Sequence, residues 1–361
     1  MAFKIVLILA IIFQFLAAGL AAWINTRYRW HSAWILISGA AVLMAVQLTA
    51  SLASIWDLPP DERLDIPTWT AALAGLAISI MFLGGVALIE PLFKEIATAE
   101  KLLSHENRRL EMAVQENEAE LHLARDIQRQ LHPKGPPHAP GLEIAGDSHP
   151  AEYTSGDYYD YIELPDGRIG VVVADVSGHG VGPALLMADT RAYLRALCLT
   201  RSDPSEILTL ANRAIAEDVA DGRFVTALLA CIDPVSLKME YSSAGHLGFL
   251  LDPQGELHTL ESHMLPLGAL PDVVVGKSEP MLLTPGSLLL LATDGVFETQ
   301  DRRRQMFGIE KAIDLVREHK EESAEHIVQV LFDAAHHFAG GAPQADDNTA
   351  VIIKIHGKSA T

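Results

Sequence analysis

Three separated stretches of this 361-residue chain run an apolar, strand-like segment against an aspartate at a turn. They are Val171–Gly180 with Asp175, Leu288–Gly295 with Asp294, and Asp346-Asp347 ahead of Ala350–Ile353. A fourth acid cluster, Ser155 to Tyr161 with Asp157 and Asp160, lies just upstream of the first. One such acid carries no message, because aspartate suits turns through its local side-chain hydrogen bonds. Four at strand edges, two with glycine close behind, point to carboxylates gathered at one rim of a sheet. Hard divalent cations take oxygen ligands, and a pair of them can make a nucleophile from water at neutral pH. The chemistry implied is metal-dependent hydrolysis.

Composition narrows the alternatives. The formal net charge of -19 argues against general affinity for nucleic acid or for anionic lipid surfaces. Cys198 and Cys231 both sit in apolar surroundings and read as buried thiols of a reducing compartment rather than a disulfide. No cluster of cysteine and histidine has zinc spacing, and no Gly-x-x-x-x-Gly-Lys-Ser/Thr phosphate loop is present.

The elements that must position these acids begin only after residue 140. Before residue 94 the chain is strongly apolar, over Phe3–Ile24, Ala33–Trp56 and Trp69–Phe93. Each run approaches the roughly 20 residues that cross a bilayer as a helix. All the tryptophans (Trp23, Trp30, Trp34, Trp56 and Trp69) fall at or near the ends of these runs, where aromatic belts sit. Three spans are expected rather than a cleaved signal peptide, since no Ala-x-Ala site precedes polar sequence. The first loop carries Arg27 and Arg29, and the second carries Asp57, Asp61, Glu62 and Asp65 against Arg63. The positive-inside rule then puts everything after Phe93 in the cytoplasm; Lys4 mildly disagrees.

Residues 94–132 are charged and lack glycine, and proline is absent before Pro133. Leu103, Leu110, Asn117, Ala124 and Leu131 recur every seven residues, with Asn107, Val114, Leu121 and Gln128 between them. A heptad seam with polar interruptions predicts a parallel dimeric stalk, the alternative being one amphipathic helix folded back on the soluble domain. Clustered proline and glycine between His132 and Pro140 end it. The expected organisation is a membrane region over 1–93, a coiled-coil and switch-helix linker over 94–132, and a catalytic domain over 141–361. In that domain, strand-like runs come in consecutive groups, including Val273–Leu283, and helical runs come in pairs. The pattern favours an α+β sandwich of two mainly antiparallel sheets flanked by helices.

The ordered set Ser155–Asp160, Ala174–Ala184, Ser243–His246, Ala292–Glu298 and Asp346–Thr349 resembles the metal-dependent (PPM, type 2C) serine/threonine protein phosphatases. The bacterial SpoIIE/RsbU-like branch is the nearest match, over about Leu121 to Ile355, and Leu123–Pro133 is similar to its switch helix. The resemblance implies an α-β-β-α sandwich and a binuclear site for two divalent cations, Mn2+ or Mg2+. Asp175 would bridge both ions, helped by the Val176 carbonyl. Asp294 and Asp346 would hold one ion, and Asp157 would orient the other through its waters. Which of Asp346 and Asp347 touches metal is left open. His179 stands where the family places a residue that protonates the leaving oxygen, so it is read either as a general acid or as structural. Gly156 departs from eukaryotic relatives, which carry a metal-ligating glutamate there. His246 reads as a packing histidine, Asp160 as structural, and Arg302–Arg304 as a solvated loop.

The implied activity is a membrane-anchored phosphatase acting on phosphoserine or phosphothreonine. Its expected partner is a phosphorylated STAS-type anti-sigma-factor antagonist in a partner-switching pathway. Membrane lipids through three helices and a second copy through the linker complete the expected partners, at the bacterial inner membrane. Two other readings compete: a non-catalytic signalling module on the same fold, and a hydrolase of small phosphoesters.

Overall fold

A computed structural model describes residues 2–28, 31–56, 66–137, 139–219 and 222–356. Three helices open the chain: α1 (Ala2–Tyr28), α2 (His31–Trp56) and α3 (Ile66–Arg129). The chain divides into two compact units, Met1–Gln115 and Glu116–Thr361, the division falling inside α3.

In the first unit all three helices are long and apolar enough to cross a membrane. Their packing is inside-out relative to a soluble bundle. Small side chains (Ala10, Ala17, Ala21, Ala41 and Ala45) are fully buried, while Leu16, Leu36, Leu43, Met81 and Leu88 face outward. That distribution suits helices in lipid, where close backbone approach replaces the hydrophobic drive. Arg29 and residues 57–65, which carry much of the charge asymmetry used for orientation, lie outside the described residues. In α3, Leu103, Leu110 and Val114 of the heptad seam are exposed. The third span and the linker form one helix of 64 residues, which continues through Pro91.

The second unit holds two five-stranded antiparallel sheets. One contains β1 (Leu142–His149), β10 (Asn348–Ile355), β9 (Leu288–Ala292), β6 (Gly248–Leu251) and β7 (Leu257–Leu260), in that order. The other contains β2 (Tyr158–Glu163), β3 (Ile169–Val176), β4 (Val225–Ile232), β5 (Lys238–Ala244) and β8 (Met281–Leu282). Helices α4 (Val181–Cys198) and α5 (Pro204–Asp218) cover the second sheet, while α6 (Asp294–Glu298), α7 (Ile309–Glu318) and α8 (Ala324–Ala339) belong with the first. The expected α-β-β-α sandwich is what forms.

Period-2 alternation builds three apolar layers. Val171 and Val173 of β3 face between the sheets with Leu228, Leu289, Leu291, Val351 and Ile353. Val172 and Ala174 turn the other way, onto Met187, Leu194, Ile207 and Leu208 of α4 and α5. Leu290 and Ile352 pack on Val316, Ile327 and Leu331 of α7 and α8. A strand buried on both faces needs an uninterrupted apolar run, which explains the sequence of β3. Cys198 and Cys231 are buried free thiols, as expected.

The run expected as a strand over Val273–Leu283 pairs only at Met281–Leu282. Upstream, the Ser278 amide still reaches the Tyr241 carbonyl of β5 at 2.8 Å, but at Val275 the backbone bonds to side chains. The Val275 amide donates to Thr209 Oγ1 at 3.0 Å, and the Ser205 hydroxyl donates to the Val275 carbonyl at 2.5 Å. Two short elements, β7 and α6, lack a long enough pattern to be read in the sequence.

Candidate metal centre

Antiparallel pairing brings the acids to one edge. Tyr158 pairs with Ala174, so Asp157 before β2 and Asp175 near the end of β3 share one end of their sheet. Ala350 pairs with Ala292, so Asp294 after β9 and Asp346-Asp347 before β10 share one end of the other. The two ends meet. Asp157 feels the charge of Asp175, and Asp175 feels the charges of Asp294, Asp346 and Asp347.

Their electrostatics record the crowding. Burial and then repulsion by Asp294, Asp346 and Asp347 push Asp175 up to about 7. Asp157, almost fully buried, is raised well above the carboxylate range by burial and then by Asp175. Asp294 is raised by burial and then by Glu298, and Asp346 is raised chiefly by burial. Acids held this close favour a proton or a cation between them.

Each acid has a different setting. Asp157 accepts a 2.8 Å hydrogen bond from the buried Thr293 hydroxyl, which itself receives the Thr349 amide at 3.0 Å. That fixes the Asp157 carboxylate to the opposite sheet. Asp347 is buried, and its two oxygens accept the Ala151 and Gly156 amides, both at 2.7 Å. Its carboxylate closes the 151–156 loop. Asp346 is exposed and accepts only the Asp347 amide, at 2.9 Å. Asp160 is structural: its buried carboxylate takes the Tyr158 hydroxyl at 2.6 Å and Arg195 at 2.6 and 3.1 Å.

Two glycines are required by contact. A Cβ on Gly295, beside Asp294, would come 2.1 Å from the Asp347 carbonyl oxygen. One on Gly156 would come 2.9 Å from the Val176 carbonyl oxygen and 3.3 Å from that of Gly178. The absence of a glutamate at position 156 therefore has a packing cause: the backbone of the β3 turn occupies its place.

His179 sits in a turn between Gly178 and Gly180, both with φ near +90°. Its ring is half-exposed, with Nδ1 3.1 Å from Glu152 Oε1, and its charge acts on Asp346. His246 is buried, with Nδ1 3.0 Å from Thr226 Oγ1, and burial lowers it to about 4. Its Nε2 lies toward the Ala292 carbonyl without reaching hydrogen-bond geometry. It borders a cleft of about 390 Å³ that Asp175, Asp294, Phe297 and Met306 also line.

Sequence reasoning missed two participants. Thr293 read only as the residue before an acid. Gln128 read as a polar interruption of the heptad seam, yet its buried amide pairs with the backbone of Ser155. No local signal marks such a contact across 27 residues.

The donor set is all oxygen, from carboxylates and the nearby Val176 carbonyl, which fits hard divalent cations. A family model described as Stage II sporulation protein E (SpoIIE) matches residues 165–356, more than half of the chain. The chain belongs to the SpoIIE family. Its second unit is a phosphatase domain of the PP2C type. The phosphoserine phosphatase RsbU of Bacillus subtilis is 30% identical over 233 residues, 63% of this chain and 68% of that protein. The SiaA-PP2C domain of Pseudomonas aeruginosa shares the fold at a TM-score of 0.59 and 23% identity, covering 67% of this chain and 98% of that one. The RsbU and RsbW domains of Rv1364c from Mycobacterium tuberculosis align at a TM-score of 0.55 and 25% identity, over 64% of each chain.

Proposed function

We propose that this chain is a membrane-anchored, metal-dependent phosphatase that removes phosphate from serine or threonine of a regulatory protein. The carrying observation is the convergence of Asp157, Asp175, Asp294 and Asp346 at one sheet edge, with Asp175 raised to about 7. A purely structural role gives no reason to hold four carboxylates in that arrangement.

Two divalent cations, Mn2+ or Mg2+, would supply a water deprotonated at neutral pH and neutralise charge on the phosphoryl oxygens. Asp175 would hold them, together with the Val176 carbonyl. Asp294, Asp346 and Asp157 would complete the donor set, Asp157 being held in position by Thr293. Asp347 has both oxygens committed to backbone amides, so it shapes the site and leaves direct contact to Asp346. Attack breaks the bond from phosphorus to the seryl or threonyl oxygen, which leaves with a proton. His179 would give that proton, a role supported by its accessible ring and its contact with Glu152.

The substrate we propose is a phosphorylated STAS-type anti-sigma-factor antagonist in a partner-switching pathway. The likeness to RsbU, which is named a phosphoserine phosphatase, supports this reading. The three apolar helices support multi-pass insertion in the bacterial inner membrane, with the phosphatase domain in the cytoplasm. The exposed Leu103, Leu110 and Val114 support a homodimer through the linker.

The test is phosphate release from phosphorylated STAS proteins by the full chain in detergent micelles, with and without Mn2+. Turnover that needs the cation and vanishes in Asp175→Asn is expected. Output that persists in Asp175→Asn without turnover would replace the enzyme with a binding module.

A further inference from the structure

We propose a separate transition-metal site at the turn between α7 and α8, formed by His319, Glu322 and His326 and suited to Zn2+. The site is independent of the carboxylate centre. Its ligand atoms all lie within 4.8 Å of one another. His319 Nδ1 is 3.1 Å from Glu322 Oε1, and His326 Nε2 is 2.5 Å from Glu322 Oε2.

The backbone holds these positions without help from the three side chains. His319 is the C-cap of α7, its amide bonded to the Leu315 carbonyl. Ser323 caps α8 by accepting the His326 amide at 3.2 Å, and the Ala324 amide donates to Glu143 Oε1 at 2.7 Å. Two helix ends thus present two imidazoles on either side of one carboxylate. Ligands carried by such rigid elements keep their geometry better than ligands on a free loop.

The donor types choose the metal. Two imidazoles and one carboxylate favour Zn2+ over Mg2+ or Mn2+, which prefer an all-oxygen shell. Tetrahedral zinc with bonds of about 2.0–2.1 Å sets neighbouring ligand atoms roughly 3.3 Å apart. The His319–Glu322 separation is already close to that span. His326 Nε2 stands against the other carboxylate oxygen and must draw back for an ion to enter, which a half-exposed ring can do. A water would complete the shell. Glu318, Glu321 and Glu325 neighbour the ligands in sequence, as does Lys320. Without a cation, the same groups form only exposed polar pairs, which stabilise little.

The site is remote from the acids. Lys354 donates to the Glu322 carbonyl at the far end of β10. At about 3.3 Å per residue, that end lies roughly 20 Å along the strand from Asn348. A bound ion would tie the end of α7 to the start of α8. The α7 helix begins at Ile309, beside the cleft that Asp175 and Asp294 line, and the ion would sit at its opposite end.

Zinc retention should be measured on the full chain in detergent micelles, against a chromophoric chelator and with saturating Mg2+ to fill the carboxylate centre. One Zn2+ per chain is expected to resist the chelator. His319→Ala, Glu322→Gln and His326→Ala should each weaken retention at least tenfold, with circular dichroism and Mg2+-supported phosphate release unchanged. Co2+ bound to the wild-type chain should show absorption of tetrahedral intensity that His326→Ala abolishes. Equal retention in all three variants overturns the proposal, as does zinc lost on Asp175→Asn but kept in His326→Ala. Absence of the Co2+ bands in the wild type overturns it too.

Discussion

Gln128 holds Ser155 by both ends of its amide, Nε2 donating to the Ser155 carbonyl at 2.7 Å and Oε1 accepting the Ser155 amide at 2.9 Å. This pair joins the last turns of α3 to the loop that carries Asp157 on one side and Glu152 on the other. His122, one and a half turns earlier, packs edge-on against Tyr153 of the same loop, with ring centroids 4.9 Å apart. Leu121 and Ala124 of the same seam are half-buried on this unit, unlike Leu103 and Leu110. The seam therefore changes role along its length, from exposed stripe to docking face.

Gln128→Ala leaves the Ser155 amide and carbonyl unpaired in a buried place, at about 1–3 kcal/mol for each unsatisfied group. The loop should loosen and Asp157 lose its position. The expected result is a rise of tenfold or more in the Mn2+ concentration needed for half-maximal phosphate release, with secondary structure kept. A metal titration unchanged from wild type would remove Gln128 from the argument.

Asp346 and Asp347 should separate cleanly. Asp347→Ala strips acceptors from two buried amides and should cost about 2–4 kcal/mol of stability, read in thermal or denaturant unfolding. Asp346→Asn should leave the unfolding midpoint of the cation-free protein nearly unchanged or slightly higher, while abolishing cation-dependent turnover. The reverse pattern would exchange their roles.

Gly295→Ala places a methyl group 2.1 Å from the Asp347 carbonyl oxygen, so the backbone beside Asp294 must shift. A shift of about 1 Å in such a site can cost roughly 100-fold in rate. We expect a folded protein with turnover reduced by about that factor. A variant with wild-type activity would show that the β9–α6 turn tolerates displacement.

Stability should depend on pH in a direction set by the raised carboxyls. In the unfolded chain these aspartates ionise near pH 4. In the cation-free native state Asp175 titrates at about 7, and Asp157, Asp294 and Asp346 are also raised. The folded state therefore holds protons that the unfolded state has released. The contribution of these four groups to stability is full below about pH 4 and is lost as pH rises toward about 7. With a chelator present, the melting temperature should drop between about pH 5 and pH 7.5, and excess Mg2+ should remove most of that drop. A melting temperature that rises over this window would contradict the electrostatic reading.

Replacing Leu103 and Leu110 with asparagine removes apolar side chains from the exposed stripe of α3. Dimer content, measured by sedimentation in detergent, should fall several-fold if the stripe is the interface. Equal sedimentation of the variant and wild type would exclude this face.

Much of this was legible because the acids sit where strands stop. The apolar run Val171–Ala174 and the glycines after Asp175 and Asp294 mark strand ends directly. Antiparallel pairing then brings those ends together. What the sequence hid was the division of labour between adjacent identical residues: Asp346 and Asp347 differ only in which amides surround them. Gln128 was hidden for a related reason, since its partner is backbone, and backbone contacts leave no side-chain signature. The stretch from Val273 misled because the Val275 backbone is satisfied by Ser205 and Thr209 rather than by a neighbouring strand.

The clamp made by Asp347 on Ala151 and Gly156 gives the loop two tethers, one from the acid edge and one from α3. Tethers that share a segment must communicate both ways, because a binding free energy felt at one end is owed equally at the other. Loading the carboxylates with cation would thus strengthen the grip of Gln128 on the loop. Ion availability would then act on this loop from the side opposite to α3.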